Sequence, residues 1–508
     1  MSEELNSKMN HRMLMRIGDV PLRNANSINI TSDDYNETGG TYTLNYTANH
    51  IINDDVTVGL KFTNGVLDYG ESTTNIGGVT PSEPTGTDGY KVQYFDYDGT
   101  ILKTEYVLTG GTSTPPTTPT HEYLTFSSWN NDNVNITRDT DIGAIYDTTD
   151  GKTYCFITMT IASGYQPTIY LNKTGSTNIT VDWGDGEIST NNSVGEFSIQ
   201  KPTPYISGST GLLNKIITIQ CGDFYGLGNP SLSQSVFYDQ LNLLFNKCYL
   251  GNKINVIDDY AFKYCDTLQY ISISNSIIFI GVGAFNYCSS IKSILIPTTI
   301  TTIENSCLLF CDSITTIVLP NTITIIKNIS ISYNSSLKSI IIPNSVITIE
   351  DAAFDTCISL NSMVLPDTIN TIPSSMFNGC QSLSSITLSN LITTIGDYSF
   401  MSCSRLQSII IPNSVTHIGD SVFNGCKTLS SINIPNSVTH IGGYVFYDCV
   451  LLTSVIMNSI IPPTMGGGVF DNATKLIIYV PDSSLVAYKT ASNWSSYADR
   501  IYPISTKI

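Results

Sequence analysis

Eight of the twelve cysteines stand 23 residues apart or at multiples of that interval: Cys265, Cys288, Cys311, Cys357, Cys380, Cys403, Cys426 and Cys449. A thiol can ligate a metal, pair into a disulfide, attack a substrate or fill a small apolar space. Metal and redox chemistry call for CxxC-like or Cys/His spacing, and the sequence has neither. Cys307, four residues before Cys311, breaks the column only locally. A thiol column of fixed period reads as a buried packing position, because Cys behaves as a small apolar residue. Free buried thiols are therefore expected.

Two further sets could do chemistry. Of the five histidines, His417 and His440 are also 23 residues apart, which puts their rings about 5 Å apart on adjacent turns. Two imidazoles fall short of a metal's usual ligand count. Thr302, Thr348, Thr371 and Thr394 hold the same column, so His is expected to replace Thr at an exposed site. At most it makes a weak pH-sensitive spot. The string ITVDWGDGE offers Asp182, Asp185 and Glu187, but not at EF-hand spacing. It reads as a tight turn with solvated carboxylates. No GxSxG, HExxH, P-loop or dinucleotide fingerprint is present, and Glu304, Glu350 and Asp420 fall at variable positions. The sequence predicts no catalytic residue, no metal site and no cofactor.

The elements behind these columns follow from the period. From Phe245 to Leu451 the chain holds nine units of 23 residues without insertion or deletion. Position 13 is Ile in all nine (Ile257 to Ile441), and position 6 is always Leu or Ile. Position 18 is Phe except at Leu308 and Ile331. Such register means a stacked array, each unit burying its apolar edge on the next. Positions 4 and 6 flank a variable position 5, the alternation of a short strand. Pro at position 7 in six units ends it. The prediction is a mainly β chain ending in a solenoid of nine 23-residue coils. Positions 3 and 5 face outward, and position 5 is aliphatic at Leu295, Val318, Ile341, Val364 and Ile410. β-propensity accounts for these residues. Read as function, they form a stripe that docks a partner or a sister chain, and they are the candidate binding residues.

The unit, roughly LxxIxIPNSVTxIGxxxFxxCxx, resembles the BspA-like (Treponema pallidum type) leucine-rich repeat over about 245 to 470. The ending LIIYVPDSSLVAYKTASNWSSYADRIYPI (Leu476 to Ile504) is similar to that family's usual close. It reads as a cap plugged by Tyr479, Val480, Tyr488 and Trp494, which covers an edge strand and an open core. Upstream, KVQYFDYDGTILKTEYV with FSSWN resembles the β-grasp-like repeat of bacterial surface proteins (the Listeria–Bacteroides type), with Trp129 in its core. The WGDG segment resembles a PKD-type β-sandwich, with Trp183 in its core. The expected organisation is an N-terminal β-rich docking segment over 1–80 and a β-grasp-like repeat over 81–150. A PKD-like segment over 151–220, the leucine-rich-repeat solenoid over 221–470 and a cap over 471–508 complete it. SEPTGTDG (Ser82 to Gly89) reads as a linker.

Charge narrows the partners. The net charge is −18 and only 13 % of residues are charged, so nucleic-acid and anionic-membrane partners are discounted. No run of 18 apolar residues occurs, so no membrane insertion is expected. The first thirty residues lack a signal-type apolar core. The resemblance implies non-enzymatic surface proteins that contact host proteins or glycans. Because no signal is evident, the leading expectation is a virion structural protein, a bacteriophage head or tail fibre. Its N-terminal segment (Arg12, Arg16, Arg23) would dock on other virion proteins. The alternative is an exported bacterial or protist cell-surface adhesin. Either is compatible with a homo-oligomer.

Overall fold

The 23-residue period becomes a coil because a unit makes two short strands and two tight corners, the units at Leu337 and Leu406 forming only the second strand. In the computed structural model, which describes residues 25–32, 41–48, 56–63, 66–68, 89–160, 166–205, 212–228, 236 and 243–507, one wall of the coil is built from strand positions 3 to 5. Examples are Ser293–Leu295 beside Thr316–Val318 and Ser362–Val364 beside Ser385–Thr387, all parallel. The other wall is a run of two-residue strands ending at position 13. There Ile303 pairs with Ile326 and Ile326 with Ile349, and Ile372, Ile395, Ile418 and Ile441 pair each with the next. Positions 16 and 20 turn the corners with backbone in the left-handed region in every coil, for example at Tyr398 (φ 59) and Ser402 (φ 60). Non-Gly residues adopt this region only when their surroundings hold them there. Here interlocking amides do so: Tyr398 donates to Asp420 O at 2.8 Å and Ser402 to Asn424 O at 2.7 Å.

Inside, the apolar columns line up. Phe354, Phe377, Phe400, Phe423, Phe446 and Phe470 stack face to face with centroids 5.4 to 5.9 Å apart. Position 10 adds a further buried column, Ile254 to Val438, not singled out from the sequence. The period slips once at the end, where Ile441 pairs with Met465, 24 residues on.

Both ends are closed. At the N-terminal end, strands β9 (Thr153–Thr160), β10 (Thr168–Lys173), β11 (Ile179–Asp182), β12 (Ile188–Asn191), β13 (Gly195–Gln200), β14 (Leu212–Cys221) and β15 (Tyr225–Leu227) form two facing sheets. Each sheet runs straight into one wall of the solenoid. β9 pairs antiparallel with β16 (Leu243–Tyr249), which pairs parallel with β18 (Tyr270–Ser272). β15 pairs parallel with β17 (Ile254–Ile257). Trp183 is fully buried between the sheets, its Nε1 donating to Ser189 Oγ at 2.8 Å. One hydrophobic core thus runs unbroken from Cys155 to Ile501.

At the C-terminal end, Ile477–Val480 continues the wall, and Ile501–Pro503 pairs beyond it. Tyr488 and Trp494 are fully buried, and Trp494 Nε1 donates to Pro463 O at 2.8 Å. Of the expected plug, Val480, Tyr488 and Trp494 lie inside. Tyr479 is only half-buried, because its strand position points its ring outward, and Tyr497 takes the inner place against Phe470.

Ahead of the sandwich, β5 (Gly89–Phe95), β6 (Ile101–Leu108), β7 (Leu124–Trp129) and β8 (Thr140–Thr148) form a mixed sheet in the order β6-β5-β8-β7. β5 and β8 are parallel at its centre. Trp129 is half-buried and meets Tyr94 edge-on at 5.1 Å. Residues 82–508 constitute one compact unit and 1–81 another. The N-terminal unit holds an antiparallel meander, β1 (Ala25–Ser32), β2 (Thr41–Ala48), β3 (Val56–Thr63) and β4 (Val66–Asp68). Arg12, Arg16 and Arg23 and the linker from Ser82 to Asp88 lie outside the described residues.

Candidate binding face

The outward face of the strand wall divides into a covered and an open stretch. Leu295 and Val318 were expected to face solvent, but they are 4 % and 0 % exposed. The β5–β8 sheet lies on them, with Phe95 and Ile145 closing a small apolar cluster. Gly143 sits directly above, where a Cβ would come within 2.5 Å of Leu295 Cδ2. The buried amide of Asn130 fastens the seam: Nδ2 donates to Ile296 O at 3.0 Å, and Oδ1 accepts from Gly143 N at 2.6 Å. Asn131 donates to Leu319 O at 3.0 Å and accepts from Asn321 N at 2.7 Å. Two of the five candidate binding residues are therefore occupied by the chain's own sheet. β-branched and aliphatic residues at position 5 look alike in sequence whether the covering surface belongs to this chain or to another.

Beyond the seam the face opens. Ile341 is half-buried and lines a cleft of about 490 Å³ shared with Arg138 and Asn344, whose side chains meet. Burial pushes the Asp141 carboxyl on the same cleft up to about 7. Val364 is 58 % and Ile410 84 % exposed. Alongside them runs a row of serines at position 3, from Ser339 through Ser362, Ser385 and Ser408 to Ser431. Next to that row is a polar groove of about 750 Å³ lined by Lys338, Asn361, Ser384, Arg405 and Gln407 among others. The columns at positions 2 and 23 that make this groove were not picked out in the sequence, because varied polar residues carry no periodic signal of their own.

The three sets of chemically capable residues have structural employment. All twelve cysteines are free and buried. The column has a specific reason: the seven thiols from Cys288 to Cys449 each reach the carbonyl at position 18 of the preceding coil, as Cys403 does to Phe377 O at 3.2 Å and Cys449 to Phe423 O at 3.1 Å. In the one unit without it, Asn334 takes the place and donates to Ile331 O at 2.7 Å. Burial raises these thiols, Cys357 and Cys449 to about 12. A thiol so raised is a poor nucleophile and a poor ligand.

His417 and His440 stack with centroids 4.4 Å apart and planes 3° from parallel. They are half-buried rather than exposed. Burial first, and the neighbouring His440 second, lower the pKa of His417. The WGDG carboxylates are not simply solvated. The buried Lys201 ammonium lies between them, 3.0 Å from Asp185 and also in contact with Glu187. It occupies the place a cation would take. No group of three or more metal-capable side chains occurs among the described residues.

Comparison with known proteins agrees with the period. Residues 230–361 and 328–453 match the BspA type leucine rich repeat region, with six copies. Among solved structures, a leucine-rich repeat protein from Bacteroides ovatus is 29 % identical over 52 % of this chain, with a TM-score of 0.43. The match spans 66 % of that protein's length. The T. pallidum leucine rich repeat protein is 28 % identical over 31 % of this chain and 83 % of its own, TM-score 0.27. A leucine rich cell surface protein from Faecalibacterium prausnitzii is 22 % identical over 47 % of this chain and 84 % of its own, TM-score 0.27. No curated protein matches the chain.

Proposed function

Starting from a solenoid that is a BspA-type leucine rich repeat region, we propose that the chain is a non-enzymatic, surface-displayed adhesion protein. It binds a host-surface protein or glycan through the open strand face. The observation that carries this reading is the division of that face. The chain's own sheet seals the coils around Leu295 and Val318 and leaves those from Lys338 to Thr428 uncovered. Solenoids offer extended rigid surfaces that bind without reorganising. The repeat family supports display at a cell surface, since the resemblance implies surface proteins. Nothing in the fold or the repeat family adds support to the virion reading. Regular coils with buried thiols and a lysine-filled acid turn give no support to catalysis.

The test is attachment. Beads carrying the full chain should adhere to matrix-coated or epithelial surfaces. Val364→Glu with Ile410→Glu should cut adhesion at least about tenfold, because both side chains stand out on the face and interface-centre apolar residues carry most binding energy. Wild-type beads that do not adhere at all would sink the reading.

A further inference from the structure

The charge pattern of the open face points to a ligand class. The groove that crosses the coils from Lys338 to Thr428 has no acidic side chain in its lining, in a chain with 42 Asp and Glu against 24 Lys and Arg. Lys338 and Arg405 are both exposed there. Neither belongs to any ion pair among the described residues, where Lys103, Lys152, Lys201 and Lys327 all do. Three inter-coil steps separate the two cations, about 14 Å along the axis at the spacing of paired strands. Between them Asn361, Ser382 and Ser384 present amides and hydroxyls at that same step. Val364 and Ile410 offer aliphatic surface beside the row.

A single small anion cannot reach both cations. The surface suits a polymer with repeated negative groups, many hydroxyls and apolar C–H faces. A nucleic acid suits it less, because single strands are held by aromatic stacking platforms and the groove lining has no aromatic residue. The net charge of −18 opposes polyanions at long range. At physiological salt the Debye length is about 8 Å, so acids beyond the groove are largely screened while cations in contact are not. We propose that this groove binds an acidic polysaccharide. Lys338 and Arg405 hold charged groups three coils apart, and the amides and hydroxyls between them take the ring hydroxyls. The proposal rests on the adhesion reading and names its ligand class.

The experiment measures binding of the full chain to polygalacturonate, heparin, neutral dextran and oligo-dT. Binding to polygalacturonate or heparin without binding to dextran is expected, and the preferred polymer identifies the charged group as carboxylate or sulfate. Lys338→Gln with Arg405→Gln should weaken it at least about tenfold, whereas Lys475→Gln, an exposed cation outside the groove lining, should not. Unchanged thermal midpoints keep the comparison clear of misfolding. Equal binding by the double variant, equal binding of dextran, or preference for oligo-dT overturns the proposal. Adhesion to matrix surfaces without binding to either acidic polymer overturns the proposal and leaves the adhesion reading standing. Failure of both removes both.

Discussion

Each repeated residue has a local chemical task. The thiol at position 21 fits a small apolar space and adds its weak donor, at 3.0 to 3.3 Å in coil after coil, to a buried carbonyl that already accepts from the residue at position 21 of its own coil. Because all twelve are free and buried, native protein at about pH 8 should resist a thiol reagent and release all its thiols only in denaturant. Rapid labelling of several thiols in the native state would contradict the buried column. The histidine pair gives a prediction of defined sign. His417 has a folded pKa below its unfolded value of about 6.5, so the unfolded chain binds the proton more readily. Stability from this group is present above that pH and is lost as pH falls through it. His417→Thr, which restores the residue of the earlier coils, should narrow the drop in melting temperature between about pH 7.5 and pH 5. A variant with the wild-type pH profile would show that the ring is not held neutral.

Among the elements, the coils were legible and their neighbours less so. Nine isoleucines and seven phenylalanines in register determine strand, corner and core together, since only a stacked array repays such a strict period. The thiol column, the C-terminal cap and Trp183 followed from the same logic of periodic or isolated apolar burial, whereas the closure of the N-terminal end by the sandwich did not. What the sequence hid was pairing between distant elements. Nothing in Gly143, Asn130 or Ile145 announces that they cover Leu295, more than 140 residues away, and Lys201 gives no sign that it seats in the Asp185–Glu187 turn. That docking is testable. Leu295→Asp places a charge under the sheet with no partner, a change that costs at least about 2 kcal/mol. Amide exchange should quicken across β8 and stay unchanged in the coils after Leu406. If β8 exchanges as in the wild type, the sheet is held by something other than this seam.

At the scale of the whole molecule, the continuous core from Cys155 to Ile501 makes the 82–508 unit nearly one-dimensional. Each coil is stabilised chiefly by the coil before and the coil after it, so stability is a sum of neighbour contacts and the ends decide where unfolding begins. The two ends are built differently. The sandwich shares its sheets with the first coils through the long β9–β16 pairing. The cap adds two short strand pairings, a six-residue helix at Leu485–Thr490 and a plug of Tyr488, Trp494 and Tyr497. The C-terminal end is therefore the weaker seal. Trp494→Ala empties the space beneath Phe470 and leaves Pro463 O without its donor, at about 3–5 kcal/mol for a buried Trp. In a one-dimensional array this loss should stay local at first. Exchange should rise most in Ile477–Val480, less in Ser454–Met457, and hardly at all around Ile303 and Ile326. A uniform rise along all coils would mean that the array unfolds as one cooperative body and not coil by coil from its cap.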